Sequence, residues 1–153
     1  EELVKWLFTY VICWKDKNFN YVYDAIVYCV FISLGFASVE NLIAILSNSG
    51  GFALALQRGL ITVPAHAFFG IISGYYLGLA KKYEARRWNK RKRKYIILSL
   101  LIPIIVHGMF DSLLFLSSTA SILFATALIV YLYLSSALKV VKTSSEAKKI
   151  TRR

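Results

Sequence analysis

The side chains that could carry out chemistry in this protein lie inside stretches of otherwise apolar sequence. Both histidines and half of the eight acidic residues belong to this set, which is Glu1, Glu2, Glu40, His66, His107 and Asp111. An ionisable side chain in hydrocarbon costs about 2.5–3.5 kcal/mol or more, so such residues are typical of functional sites. Carboxylates and imidazoles together can activate water and stabilise an oxyanion, as peptide hydrolysis requires. The set therefore predicts a polar site inside a membrane protein.

The stretches that carry these residues have the length and composition of membrane helices. The chain has 153 residues, of which 58% are hydrophobic, whereas average soluble proteins are about 45–50% apolar. We distinguish five apolar segments, at 3–14, 21–46, about 54–80, 95–116 and 122–141. No β-barrel alternation is present, which leaves helices as the spanning elements. We expect an all-α, polytopic transmembrane helix bundle. Because the sequence opens on Glu1 rather than Met, we also expect further spans upstream.

The basic residues predict how the bundle lies in the membrane. Nine of the 19 Lys and Arg fall at 81–94, and six more fall between Lys139 and Arg153. The positive-inside rule places both runs in the cytoplasm, where they can contact anionic lipid headgroups. The net charge of +11 could also suggest nucleic acid, but runs that flank apolar spans favour topology, so we predict no nucleic-acid partner. We predict a core at 1–142 with a basic cytoplasmic loop at 81–94, and a basic cytoplasmic tail at 143–153.

The polar groups are predicted to meet at one depth. With about 1.5 Å of rise per residue from each cytoplasmic boundary, Glu1, His66 and His107 all lie roughly 20–22 Å up. The hydrocarbon core is about 30 Å thick, so these three groups share its outer half. By the same measure Asp111 and Glu40 lie one or two turns higher.

Spacing along each helix suggests partners within the set. Lys5 is four residues from Glu1, and Asp111 is four residues from His107, so each pair shares a helix face. Arg58 can neutralise Glu40 or Glu2. Glycines at every fourth position, Gly70, Gly74 and Gly78, allow a neighbouring helix to approach closely.

Several other interpretations remain open at this point. The polar groups could be buried ion pairs of a scaffold, or the proton pathway of a transporter. Two histidines and a carboxylate could hold zinc or iron, but the sequence has no HExxH motif. The ammonium of Lys5, one turn from Glu1, would repel a divalent cation. We therefore expect no metal and no other cofactor.

Four motifs along the chain resemble the PrsW family of intramembrane proteases, relatives of the CAAX prenyl endopeptidases. They are EELVK at the start, GFASVEN around Glu40, the run from Arg58 through PAH to Gly70, and HGMFD. Their order and spacing match from Glu1 to about Leu116. The CAAX enzymes typically have Arg and Asn where this chain has Lys5 and Asp111, which favours PrsW.

The resemblance implies a prokaryotic glutamic-type endopeptidase that cuts a membrane-anchored protein near the outer face. One role known in the family is the first cut of an anti-sigma factor during envelope stress. We expect Glu1 to be the general base, with Glu2 and Lys5 tuning it. His66 and His107 would bind water or the oxyanion, and Asp111 would orient His107. Further polar positions of the family match Glu40, Asn41 and Arg58. A metal-dependent CAAX-type protease is the enzymatic alternative.

Overall fold

The protein folds as six α-helices, seen in a computed structural model that describes residues 1–145 and Ile150. The helices are α1 (Glu2–Cys13), α2 (Val22–Ser47), α3 (Gly51–Gln57), α4 (Val63–Ala85), α5 (Asn89–Leu116) and α6 (Thr119–Ser145). A π-helical turn, Arg58–Thr62, joins α3 to α4, and Pro64 lies in the first turn of α4. The described residues contain no β-strand. The predicted all-α class is confirmed.

Four stretches of helix are long and apolar enough to cross a membrane. They are α2, the continuous stretch Gly51–Ala85, α5 and α6, with 26 to 35 residues each. Their outward faces expose large apolar side chains such as Phe31, Phe115 and Leu138, which water would not favour and lipid would. The chain is therefore a multi-pass membrane protein. The first segment forms only the 12-residue α1.

Helix α4 is the centre of the bundle. In the span Gly51–Ala85, most of which is α4, almost half of the residues in the most apolar stretch are buried inside the protein, whereas about a fifth are buried in the corresponding stretch of each of the other three spans. The close approach predicted for the glycine row is made with α2. A Cβ at Gly74 would lie 2.5 Å from the Cα of Ile26, and one at Gly78 would lie 2.5 Å from the carbonyl oxygen of Val22, so only glycine fits at these positions. Helix α5 packs on another side of α4, and α1 contacts both α2 and α5.

The basic run at 81–94 is mostly helical, so its prediction as a loop was wrong in extent. Helix α4 continues to Ala85, α5 begins at Asn89, and only residues 86–88 connect them, with Arg87 in a left-handed conformation at φ 58°. Both helices extend past their apolar stretch because Lys, Arg and Glu favour helix where water is available. Helix α6 likewise runs to Ser145, beyond the predicted core boundary at 142. Most of the predicted tail, at 143–153, lies outside the described residues.

Candidate active site

The first turn of α1 supplies two acidic groups and one basic group to the site. Glu2 and Lys5 are buried, at 7% and 5% exposure, whereas the side chain of Glu1 is 40% exposed. The Nζ atom of Lys5 donates to Oε1 of Glu2 at 2.7 Å and lies 3.5 Å from Oε2 of Glu1. The i,i+4 contact with Glu1 is thus present, but Glu2 is the closer partner. The helix places both carboxylates within reach of one ammonium because positions three and four apart share a face.

His107 comes from the second half of α5 and faces the acidic turn of α1. Its Nδ1 lies 2.9 Å from Oε1 of Glu2, while its Nε2 lies 3.3 Å from Oδ2 of Asp111 and 3.8 Å from Oε2 of Glu1. A carboxylate accepts hydrogen bonds, so Nδ1–H donates to Glu2, and Nε2 is the ring atom that faces the carboxylates of Asp111 and Glu1. Glu2 therefore orients His107 from inside the protein. The side chain of Asp111 is 63% exposed and lies on the open side.

His66 comes from the first turns of α4 and is 1% exposed. Its Nδ1 lies 2.8 Å from Nζ of Lys5. Because an ammonium can only donate, Nδ1 accepts and Nε2 carries the proton. Nε2 in turn lies 3.2 Å from Oε2 of Glu40. The hydroxyl of Ser33 donates to the backbone carbonyl of His66 at 2.7 Å and ties this turn of α4 to α2.

A second group of polar side chains closes the site on the α2 side. Arg58, at the start of the π-helical turn, donates from Nη2 to Oε1 of Glu40 at 2.5 Å and from Nε to Oδ1 of Asn41 at 2.7 Å. The other carboxylate oxygen of Glu40 is buried and makes no hydrogen bond of adequate geometry with the described residues, although it is close to His66. Arg58 thus pairs with Glu40, one of its two predicted partners. Glu40 contacts His66 directly, instead of lying turns above it.

Glu1, His66 and His107, which the helical rise placed at one depth, do meet in the structure. The rings of His66 and His107 are 5.2 Å apart between centroids, and Glu1 and Glu2 contact His107. All nine predicted site residues lie in this connected network. Sequence reasoning missed Phe69, whose ring stacks on His107. The only available signal was its position three residues after His66, which puts both on one face of α4.

The site has a donor set suited to a metal ion. Glu1, His66 and His107 each offer one ligand atom, and these atoms lie within 4.8 Å of one another. Two imidazoles and a carboxylate are the ligands of many catalytic zinc sites. The bond from His107 to Glu2 resembles the outer-sphere carboxylate contacts that orient such ligands, and Oε2 of Glu40 lies 3.2 Å from Nε2 of His66 in a similar position. The residues present fit a divalent ion if it takes the place of the ammonium of Lys5, which now lies 2.8 Å from Nδ1 of His66 and uses the lone pair of that nitrogen.

Comparison with known proteins identifies the family. A family model described as "PrsW family intramembrane metalloprotease" matches residues 1–138. The chain belongs to the PrsW family. Proteins named "Protease PrsW" are 42% identical over 77% of the chain in Halalkalibacterium halodurans, 35% over 98% in Clostridioides difficile, and 37% over 74% in Bacillus subtilis. The chain spans 52%, 63% and 50% of these relatives' lengths. No solved structure matches.

Membership in PrsW confirms the resemblance that the four motifs indicated. The relation to CAAX endopeptidases stays a prediction, as do the roles of the individual site residues. The family is described as one of metalloproteases, whereas the sequence favoured a metal-free mechanism because of Lys5. The absence of a metal in the mechanism therefore also stays a prediction.

Proposed function

We propose that this chain forms the catalytic core of an intramembrane endopeptidase. The observation that carries the proposal is the meeting of Glu1, Glu2, His66 and His107, from three helices, inside a bundle with four candidate membrane spans. A scaffold needs paired charges, but it does not need two imidazoles with their rings 5.2 Å apart. The relatives named as proteases support the same activity.

In the mechanism favoured by the family description, Glu1, His66 and His107 would hold a divalent metal ion, and the ammonium of Lys5 would have to move away from Nδ1 of His66 to free its lone pair. Such an ion would polarise the scissile carbonyl and bring the pKa of a bound water to about 7. Glu2 accepts the Nδ1 proton of His107 and keeps the lone pair of Nε2 directed at the site. Glu1 is the more exposed of the two acidic groups, so it is the one that substrate and water would reach. The buried packing around His66 excludes other water.

A metal-free mechanism is the second candidate, and the contact between Lys5 and His66 favours it. The ammonium already occupies the space against Nδ1 of His66, at 2.8 Å. Nε2–H of His66 lies 3.2 Å from Oε2 of Glu40 and would turn from that carboxylate to donate to an oxyanion. Glu1 and Nε2 of His107, 3.8 Å apart, can both contact one attacking water. Glu1 then takes the proton from water, and an imidazole delivers a proton to the leaving amine.

Metal removal separates the two mechanisms. If the enzyme uses a metal, dialysis of the full-length enzyme against EDTA and 1,10-phenanthroline abolishes cleavage, and added zinc restores it. Elemental analysis of the untreated enzyme should then find about one zinc per chain. Full activity after chelation, with zinc far below one per chain, would establish the metal-free mechanism.

We further propose that the substrate is a single-span, membrane-anchored protein of the anti-sigma-factor type, cut in the outer half of the bilayer. The site lies closer to the α2–α3 connection than to the basic connection at 86–88, which supports a cut away from the basic side. The basic side would then be cytoplasmic, as would the C-terminus.

Anionic lipid headgroups are the partners that we propose for the basic connection. Arg86, Arg87 and Lys90 are exposed there, and the guanidinium of Arg91 stacks over the ring of Trp88 at 4.7 Å. An aromatic ring beside exposed cations at the ends of two spans is typical of a membrane–water interface.

Mass spectrometry of protein N-termini in cell membranes tests the proposed activity without a known substrate. Cells that produce the full-length protein should contain new N-termini inside or just outside transmembrane segments. Cells that produce the His107→Ala variant at equal level should lack them. Identical sets of N-termini in the two strains would exclude proteolysis by this site.

A further inference from the structure

Phe69 is a fully buried aromatic residue that contacts both histidines of the site. Its ring stacks on that of His107, with centroids 4.7 Å apart and an interplanar angle of 24°. It meets His66 edge-on, with centroids 6.0 Å apart at 69°. Its own exposure is 0%. No other described aromatic ring stacks face to face on either histidine.

We propose that Phe69 is a positioning residue that sets the plane of the His107 imidazole. Glu2 holds this ring at one atom, Nδ1, at 2.9 Å. The next nearest polar contact of the ring among the described residues is that of Nε2 with Asp111, at 3.3 Å, and the side chain of Asp111 is 63% exposed, so the polar contacts fix the ring edge more firmly than its tilt about the bond to Cβ. A flat aromatic surface against the ring face removes that freedom, because the imidazole must lie nearly parallel to it.

The helix geometry explains why Phe69 can serve both histidines. It lies three residues after His66 on α4, so both project from the same face. Helix α5 brings His107 against this face, and Phe110, three residues further along α5, packs edge-on against Phe69 at 6.2 Å. Phe69 thus lies between the two helices that supply the imidazoles. Its position does not depend on Phe110 alone, because the same cluster also contains Ala65, Ile72 and Leu132.

The expected effect follows from the distance by which Nε2 would move. A tilt of the ring displaces Nε2 by about 1 Å, and a misplacement of that size can cost about 10²-fold in rate. Phe69→Leu keeps an apolar side chain of similar size but has no flat face. It should lower kcat about 10- to 100-fold and leave KM within about twofold, since the substrate still binds while the reacting groups are misaligned.

Phe110→Leu is the matched control, because Phe110 is also buried, at 2%, and belongs to the same apolar cluster. Both variants should lose similar thermal stability in detergent. Only Phe69→Leu should lose kcat, and only it should broaden or shift the ¹⁵N NMR signals of His107. These signals report the imidazole environment without any turnover.

This inference rests on the proposed peptidase activity, and the two can fail separately. A full-length wild-type protein that cleaves nothing contradicts the proposed function. A wild-type protein that cleaves, with Phe69→Leu equal to Phe110→Leu in kcat and in ¹⁵N spectra, overturns the role of Phe69. If Phe69→Leu fails to fold, Phe69→Met, whose flexible side chain adapts to irregular space, is measured against Phe110→Met with the same two outcomes.

Discussion

Lys5 joins the two halves of the polar network through several contacts of one ammonium. It donates to Glu2 at 2.7 Å, contacts Nδ1 of His66 at 2.8 Å, and lies 4.8 Å above the ring of Phe36. It thus connects α1 to α4 and α2 in the interior of the bundle. Because the pair with Glu2 is buried on both sides, removing one partner leaves an uncompensated charge.

At the residue scale we predict that Lys5→Met destabilises the protein by about 3–5 kcal/mol, the cost of breaking a buried ion pair. Lys92→Met is the control. Its partner Glu84 is 34% exposed at the side chain, and a pair of that kind contributes about 0–1 kcal/mol. Unfolding of the two variants in detergent, compared with the wild type, measures the difference. Equal losses would mean that the Lys5 pair is as dispensable as a surface one.

The meeting of Glu1, His66 and His107 could be predicted from the sequence, but the pairing of the site residues could not. The rise per helical residue is constant, so counting residues from each cytoplasmic boundary placed Glu1, His66 and His107 at a common depth. Pairing depends on how each helix is rotated about its axis and on which rotamer each side chain adopts. Lys5 therefore lies closer to Glu2 than to Glu1. Glu40 contacts His66, although the residue count had placed Glu40 nearer the outer surface.

At the scale of helices, the contact of α2 with α4 positions the site. Glycines let the two backbones approach along Gly70, Gly74 and Gly78, and the hydrogen bond from Ser33 to the carbonyl of His66 continues the same contact at the level of the site. The glycine row could be recognised in the sequence because small residues at every fourth position share a face. The helix that packs against the row could not be predicted, since the sequence does not show which neighbour it contacts.

We predict that Gly74→Ala separates α2 from α4 and weakens both folding and activity. The added Cβ would lie 2.5 Å from backbone atoms of Ile26, which cannot yield as a side chain can, so overpacking should cost about 1–3 kcal/mol or more. Gly35→Ala, where a Cβ meets nothing within 4 Å, should be neutral or stabilising by up to about 1 kcal/mol. Thermal midpoints in detergent test this. A Gly74→Ala midpoint equal to that of Gly35→Ala would contradict the close packing.

At the scale of the whole molecule, charge and apolar length divide the protein into a membrane bundle and a basic surface. The exposed cations at 86–94 lie at one end of α4 and α5, and the site lies towards the other. This separation could be read from the sequence because topology depends on where Lys and Arg fall. The extension of α4 and α5 into the basic run could not be predicted from the sequence, since charged residues occur both in loops and in exposed helices.

We predict that the α2–α3 connection faces outward and the α4–α5 connection faces the cytoplasm. Both native cysteines are buried, so Cys13→Ala and Cys29→Ala provide a background for labelling. In intact cells a membrane-impermeant maleimide should label Ser49→Cys, whereas Lys90→Cys should react only after permeabilisation. The reverse pattern would invert the proposed orientation and place the cut near the cytoplasmic face.

The central claim, that the Glu1–Glu2–His66–His107 cluster is a peptidase active site, is tested most directly in proteoliposomes. The full-length enzyme would be reconstituted with a single-span substrate identified from the new membrane N-termini, and cleavage would be timed for the wild type, His66→Ala and His107→Ala. We predict that both variants keep a cooperative thermal transition and lose cleavage by about 10²–10⁴-fold, the usual contribution of acid–base groups. Cleavage by either folded variant within tenfold of the wild-type rate would contradict the claim.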